Sequence, residues 1–279
     1  MHIGVTAFLT DRAMAPGAFA VAAEERGYYS FYLPEHTHLP VGSAPPALVD
    51  GVHIEDYGRS LDPFVALAAA AALTERILLG TGIALVAQHD PIVMAKQIAT
   101  IDHMSGGRFV LGMGYGWNAQ EAADHGVDFS ARRARARENV LCMQALWEHD
   151  EASFEGTWVT LRPSYSWPKP VQRPRVRTLI GGGAGPMLFA AVAEYADGWM
   201  PIGGAGLAAS LPELRRAFEG AGRDPRTLHV VPFGTVPTEG KLEHYASLGV
   251  TEVVLRVPSG TDDEMRRDLD NYARFLTPP

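Results

Sequence analysis

The chain has 279 residues, of which 47% are hydrophobic and 20% charged, a composition typical of a soluble globular protein with a large core. Its formal net charge of −8 argues against a general nucleic-acid-binding role, which would show clustered basic residues. Cys142 is the only cysteine, so no intrachain disulfide bond is possible. No secretion signal is visible, and the most apolar helix pattern is too short to cross a bilayer. We therefore expect a cytoplasmic protein without a membrane partner.

Strand patterns and helix patterns alternate along the chain. The predicted strands are Ile3–Phe8, Phe31–Pro34, Ile77–Leu85, Phe109–Gly112, Thr178–Ile180, Trp199–Ile202, His229–Phe233 and Glu252–Val257. The helices predicted to follow them are Pro16–Arg26, Pro63–Thr74, Pro91–Met104, Ala131–Glu148, Gly185–Tyr195, Leu211–Glu219, Leu242–Leu248 and Asp263–Phe275. Eight such pairs predict one α/β domain over residues 1–279, a (β/α)8 TIM barrel, whereas a doubly wound sheet would leave elements over.

Two connections are too long to be simple joints. Residues 35–61 follow the second strand, and residues 148–177 form an insertion before the fifth strand, with a predicted small hairpin at 154–159. Loops that follow barrel strands lie at the catalytic face, so the first connection is a candidate wall or lid. Aromatic residues in these long loops suggest a moderately hydrophobic ligand. They are Phe154, Trp158, Tyr165 and Trp167.

Glycines are concentrated where the third and fourth strands end. Gly82 interrupts the third strand, and the fourth runs directly into Gly112, Gly114 and Gly116. This spacing is not a dinucleotide fingerprint, because the third glycine has the wrong offset and no acidic residue follows at the right distance. The pattern indicates either main chain passing close to something flat or bulky, or a barrel corner softened by glycine. Taken alone, it favours the barrel corner.

The second strand ends in Leu33-Pro-Glu-His-Thr-His38. A carboxylate and two imidazoles at a strand end suit proton transfer, polarisation of a cofactor or metal binding. A metal-dependent barrel hydrolase would need further ligands from later strand ends, and those ends offer none. We therefore expect no metal site, and we expect His38 to be an exposed loop histidine.

Two further segments could hold an anion. The fifth strand runs through Gly181, Gly182 and Gly183 into a helix, and backbone N–H groups at such a turn attract negative charge. The basic run from Arg132 to Arg137 starts another helix; we expect a solvated helical face there, with anion binding as the alternative. A phosphate seat, a bare backbone shelf and an imidazole at one rim would suit a flat cofactor with a phosphate tail.

Longer segments of the chain resemble the luciferase-like family of flavin- and deazaflavin-dependent oxidoreductases, especially its probable coenzyme F420-dependent branch. The matching phrases are LGTGIALVAQHDPIVMAKQIATIDHMSGGRFVLGMGYGW, FEGTWV, PKPVQRP, LIGGG and AEYADGWMP, and the resemblance covers nearly the whole chain. It implies one luciferase-like barrel domain over residues 1–279, with a tricyclic ring lying across the strand ends. The implied cofactor is coenzyme F420, with FMN as the alternative.

The resemblance also implies site residues. A non-proline cis peptide bond is implied at Gly82–Ile83 beneath the ring, and His36 is implied to face the ring near its reactive edge. The glycine turn of the fifth strand is implied to hold the phosphate. The full set of implied cofactor-binding residues is Gly82, Ile83, Ala84, Gly114, Gly116, Trp117, Gly181, Gly182, Gly183 and Ala184.

The chain departs from the family at one position. Family dehydrogenases acting on alcohols or sugars carry a glutamate after the fourth strand, where this chain has Trp117. Glu121 lies one helical turn further and is not required to reach the ring, so the usual proton-transfer apparatus is in doubt. Trp117 either stacks on the ring or lines the pocket, or it is a core aromatic. His36 is the predicted general acid/base, with Glu35 as its partner.

The resemblance thus implies an oxidoreductase that transfers a hydride between F420 and a small organic substrate. If the cofactor is FMN, the implied chemistry becomes monooxygenation with O2, with a separate reductase supplying reduced flavin. A non-catalytic flavin-binding barrel and a metal-dependent hydrolase are the remaining alternatives. Because family members commonly pair, a homodimer is expected.

Overall fold

The computed structural model describes residues 1–44 and 53–276. Its strands are β1 His2–Thr6, β2 Ser30–Leu33, β3 Leu78–Thr81, β4 Phe109–Met113, β5 Glu151–Glu155, β6 Thr160–Tyr165, β7 Arg177–Gly181, β8 Gly198–Met200, β9 His229–Val230 and β10 Glu252–Arg256. Its helices are α1 Pro16–Glu25, α2 Ile54–Arg59, α3 Pro63–Leu73, α4 Pro91–Met104, α5 Ala119–Asp124, α6 Arg132–Glu148, α7 Pro186–Tyr195, α8 Leu207–Gly220, α9 Glu239–Ser247 and α10 Asp262–Ala273.

Eight of the strands form a parallel barrel. Their order is β10-β1-β2-β3-β4-β7-β8-β9, and a parallel bridge between Thr235 and Leu255 joins the two edges. The other two strands, β5 and β6, pair antiparallel as a separate hairpin between α6 and β7. The predicted TIM barrel with an insertion before its fifth strand is therefore confirmed.

The barrel strands are buried on both faces, as parallel sheets usually are. Side chains that point inward fill the barrel interior, and the opposite faces of the strands pack against the helices. The interior cluster is Tyr32, Val110, Leu179, Met200, Val231 and Val254. Because side chains fill the interior, a ligand can only be held above it, at the carboxyl ends of the strands.

Strand β3 ends at Thr81, although a strand to Leu85 is predicted, and two further strands end early close to a proline. The sixth barrel strand ends at Met200 and the seventh at Val230, although strands to Ile202 and Phe233 are predicted. Pro201 and Pro232 have no N–H group to donate to a neighbouring strand. The two segments still pair beyond the prolines, through an isolated parallel bridge between Ile202 and Phe233.

The helices differ from the prediction in four places, one of which is α9, which begins at Glu239, three residues before the predicted start. Helix α8 begins at Leu207, four residues before the predicted start, and contains Pro212. Helices α2 and α5 are not predicted at all. Helix α5 has a clear start signal, because the side chain of Asn118 accepts hydrogen bonds from the backbone N–H groups of Gln120 and Glu121. No helix within 1–44 or 53–276 has both the length and the apolar character needed to span a membrane.

A substitution at Gly112 would test how closely β3 packs against β4. A Cβ atom at this position would lie 2.1 Å from the backbone oxygen of Thr81, which cannot move without disturbing β3. We expect Gly112→Ala to lower the free energy of unfolding by about 3 kcal/mol and the melting temperature by roughly 5–10 °C. The control is Gly183→Ala, because a Cβ there meets no atom within 4 Å. Equal melting temperatures for the two variants would contradict this packing argument.

Candidate active site

A cavity of about 350 Å³ opens at the carboxyl ends of the barrel strands. This volume lies within the range of small-molecule sites. Seven of the implied cofactor-binding residues line it: Gly82, Ile83, Gly114, Gly116, Trp117, Gly181 and Gly182. Both predicted catalytic residues, His36 and Glu35, also line the cavity. The topology thus brings together residues from the ends of four strands.

The floor of the cavity is built around Ile83. The Gly82–Ile83 peptide bond is cis, as expected from the resemblance. The Ile83 side chain packs on the interior core between Gly114 and Gly181, where added Cβ atoms would lie 2.2 and 2.8 Å from its carbons. The bulky group that these glycines accommodate is therefore Ile83 itself, and the floor that faces the cavity is apolar.

The glycine turn after β7 closes one side. The indole Nε1–H of Trp199 donates to the backbone oxygen of Gly182 at 2.9 Å and holds the turn in place. Gly183 and Ala184 are exposed and lie beyond the cavity wall. Ala84 differs from expectation: it is fully buried, and its N–H donates to the oxygen of Gly112 at 2.7 Å, so it supports the floor from outside the cavity.

His36 is paired with Glu121, a contact that is not predicted from the sequence. Nδ1 of His36 lies 2.9 Å from Oε2 of Glu121, and the two side chains are 7% and 1% exposed. Because an ionised carboxylate only accepts hydrogen bonds, Nδ1 carries the proton and Nε2 is left for exchange with a ligand. Because Glu121 lies in α5, this pair joins α5 to the segment that follows β2.

Aromatic rings surround the His36 imidazole. Tyr57 and Trp117 lie 5.0 and 5.7 Å from it, centroid to centroid, and 5.9 Å from each other. Phe8 packs against Tyr57 at 5.0 Å. All four rings line the cavity, so Trp117 is a wall residue. The imidazole therefore meets a ligand in an apolar setting.

Glu35 has a different partner from the one expected. Its Oε1 lies 2.6 Å from Nε2 of His89, and its Oε2 accepts from the backbone N–H of Leu85 at 2.6 Å. These two bonds tie the end of β2 to the segment that follows the cis peptide. Burial lowers the pKa of His89, but the hydrogen bond and charge of Glu35 and the charge of Asp62 outweigh it, so that this pKa is raised. The catalytic role proposed for Glu35 stays a prediction.

The two histidines after β2 do not converge on one point. His38 is partly exposed, and its Nε2 lies 3.0 Å from Oδ2 of Asp124, one turn from the Glu121 carboxylate that holds His36. Within the described ranges, no group of three or more His, Cys, Asp or Glu side chains is arranged to hold a metal ion.

The basic run at the start of α6 is divided between two environments. Arg135 and Arg137 bind the protein surface, through the oxygen of Gly126 and the carboxylate of Glu194. Arg132 and Arg133 instead line the cavity. The expectation of a solvated face thus holds for part of the run only.

The two long connections contribute unequally. Tyr57, from the first, lines the cavity, and residues 45–52 of that connection lie outside the described residues. The aromatic residues of the second were expected to shape the pocket, but they lie on the separate hairpin and its flank and are absent from the cavity wall. Trp158, Tyr165 and Trp167 are exposed there.

A family model described as luciferase-like monooxygenase matches residues 11–244. The chain belongs to the luciferase-like monooxygenase family.

Relatives in sequence include an uncharacterised protein of Mycobacterium tuberculosis, 42% identical over 99% of each chain. An F420-dependent glucose-6-phosphate dehydrogenase of Kineococcus radiotolerans is 33% identical over 75% of this chain and 60% of that one. Among solved structures, an F420-dependent secondary alcohol dehydrogenase in complex with an F420–acetone adduct aligns with a TM-score of 0.79 at 17% identity, over 99% and 98% of the two chains. A monooxygenase from Streptomyces bottropensis has the same TM-score at 22% identity, with the same coverage.

In this luciferase-like chain, sequence reasoning missed Tyr57 and the role of Glu121. Helix α5 could have been found from Asn118, because Asn-x-x-Glu is a helix-start signal that places Glu121 in the first turn. No local signal marks Tyr57 as a cavity residue, since its position depends on how the long connection folds back.

The His89–Glu35 pair predicts a pH-dependent stability. Because the pKa of His89 is raised in the folded chain, its contribution is complete below its ordinary value of 6.5 and is lost as the pH rises through the folded value. We expect His89→Gln to cost about 1–2 kcal/mol at pH 6 and clearly less at pH 9. Chemical denaturation at both pH values measures this.

Glu35→Gln is the matched variant for this pair, since it removes the charge and nearly keeps the shape. It should abolish the same pH-dependent part of the stability. A loss of stability independent of pH in both variants would contradict the assigned pair.

Proposed function

We propose that the protein is an oxidoreductase that transfers a hydride between the deazaflavin coenzyme F420 and a small organic substrate, with His36 as the acid/base. The observation that carries the proposal is the apolar floor at Gly82–Ile83 with the His36–Glu121 pair on the wall beside it. When bound, the deazaflavin would accept the hydride from the substrate or donate it in the reverse direction.

The residues present fit a flat ring. The floor consists of Ile83 and bare glycine backbone, and a Cβ at Gly114 or Gly181 would displace Ile83 from its place. Gly116 and Trp117 continue this surface on one side, and Gly182 on the other. These residues would hold the ring, while the turn through Gly183 and Ala184 at the start of α7 would offer N–H groups to the phosphate.

His36 is suited to move a proton at Nε2. Glu121 fixes the ring through Nδ1 and stabilises the imidazolium that forms when Nε2 takes up a proton. A substrate hydroxyl would give its proton to Nε2 as the hydride leaves its carbon, and a substrate carbonyl would receive one in the reverse direction. The rings of Tyr57 and Trp117 stand beside the imidazole and would shield this exchange from water.

The choice of F420 is supported by relatives whose names state F420 dependence, among them the Kineococcus enzyme and an F420-dependent hydroxymycolic acid dehydrogenase of Mycobacterium tuberculosis. FMN-dependent monooxygenation, with a separate reductase, is the outcome to be excluded. The expected homodimer and the cytoplasmic location stay predictions.

Titration with each cofactor tests the cofactor assignment. Because Trp117 lines the cavity, binding should quench tryptophan fluorescence, and Trp117→Phe should reduce that quenching. We expect a dissociation constant for F420 at least tenfold below that for FMN. Tighter binding of FMN, with O2 consumption on reduction, would favour the monooxygenase instead. Binding of neither cofactor would reject the proposal.

His36→Ala should slow hydride transfer by about 10²- to 10⁴-fold because the proton acceptor is lost. Glu121→Gln should slow it less, roughly 10- to 100-fold, since the imidazole remains. Stopped-flow absorbance of the cofactor measures both rates, and the dissociation constants for F420 should stay within about threefold.

His38→Ala is the control, because His38 lies two residues away and binds Asp124 outside the cavity. Unchanged hydride transfer in His36→Ala, or an equal loss in His38→Ala, would remove His36 from the mechanism.

A further inference from the structure

The cavity wall is positively charged although the chain as a whole carries a net charge of −8. Arg132 and Arg133 line it, and Glu35 is the single carboxylate among the described lining residues. That carboxylate is already bonded to His89 and Leu85. A cleft of one sign attracts ligands of the opposite sign, so this cavity favours an anion.

Arg132 and Arg133 are held without a carboxylate partner. The Arg132 guanidinium donates to the backbone oxygen of Phe129 at 2.6 Å and lies 3.6 Å above the Phe129 ring. The Arg133 guanidinium lies 4.4 Å above the ring of Tyr115. Within residues 1–44 and 53–276 neither arginine forms an ion pair.

The pair is also prearranged. The hydroxyls of Tyr115 and Tyr195 lie 2.8 Å apart, which fixes the ring on which Arg133 rests. Nε of Arg132 is buried without a hydrogen-bond partner among the described residues. Burial, and then the charge of Arg133, lower the pKa of Arg132. An anion bound between the two guanidiniums would accept the hydrogen bond that Nε of Arg132 lacks. It would also offset the repulsion between the two positive charges.

The position of the two arginines indicates which part of the proposed cofactor they would contact. Both arginines stand at the start of α6, which packs beside α7, and they share the cavity wall with Gly181 and Gly182. Arg133 is exposed, so the pair lies at the rim. With a ring on Ile83, a ring side chain that extends towards this rim would meet the two arginines. FMN ends in one phosphate, whereas the deazaflavin coenzyme continues through a phosphodiester into a chain of carboxylates.

We propose that Arg132 and Arg133 bind the anionic tail of the deazaflavin coenzyme and so select it over a flavin that ends in a single phosphate. This inference rests on the proposed function, because it takes the ring to lie on the Gly82–Ile83 floor. It assigns to the start of α6 a role in binding that is separate from the proton transfer at His36.

The test compares two ligands by equilibrium titration of the intact protein. One is the full coenzyme, and the other, the tail-less ring, is the same deazaflavin ring whose ribityl chain ends in a single phosphate, as in FMN, without the rest of the tail. In Arg132→Gln/Arg133→Gln, we expect the dissociation constant of the full coenzyme to rise roughly tenfold, as for partly exposed charge pairs. The dissociation constant of the tail-less ring should stay within about twofold. The wild-type preference for the full coenzyme should weaken with added salt.

The matched control is Arg135→Gln/Arg137→Gln, which removes the same charge from the same helix at side chains outside the cavity. It should change the affinity for neither ligand by more than about twofold. Arg132→Lys/Arg133→Lys keeps the charge and should retain part of the preference, which guards against a folding defect in the first variant.

The outcomes separate this inference from the proposed function. Wild-type protein that binds the tail-less ring but shows no preference for the tail would overturn the inference alone. An equal loss of affinity for both ligands in the Arg132/Arg133 variant would assign the arginines to the fold and likewise overturn it. Wild-type protein that binds neither ligand would overturn the proposed function, and the inference with it.

Discussion

The packing of one side chain, Ile83, determines the shape of the site. The Gly82–Ile83 bond is cis, and the Ile83 side chain fits between Gly114 and Gly181, where an added Cβ would displace it. Since this side chain completes the interior core, the surface above it is left flat and apolar. Strand β3 ends at Thr81, and beyond Ile83 the chain pairs with β4 again only through an isolated bridge between Ala84 and Met113. The support from Glu35 keeps that segment attached to β2.

The barrel is predictable from the sequence because each strand–helix pair is a local pattern repeated eight times. The errors occur where a local rule does not decide the outcome. Pro201 and Pro232 end their strands early, and Pro212 lies inside a helix that starts before it. The sequence shows where the glycines lie but not what they make room for. Gly114 and Gly181 accommodate the side chain of Ile83, which follows β3.

The site itself was harder to predict because its pairs are distant in sequence. His36 and Glu121 are 85 residues apart, and Glu35 and His89 are 54 apart. Residues that share a strand end, such as Glu35 and His36, invite pairing with each other, yet neighbouring residues leave a strand end in different directions. Each therefore finds its partner on another element, and only the folded chain shows which one.

The floor and the rim of the cavity differ in polarity. The floor at Ile83 is apolar, and the rings of Tyr57 and Trp117 stand beside His36. The rim at Arg132 and Arg133 is cationic and partly exposed, where a long anionic group can keep contact with water. A ligand that is flat and uncharged at one end and anionic at the other satisfies both regions in one orientation only. On the proposed function, the ring of the coenzyme would lie against Ile83 with its anionic tail at the two arginines, and the substrate would lie beside His36.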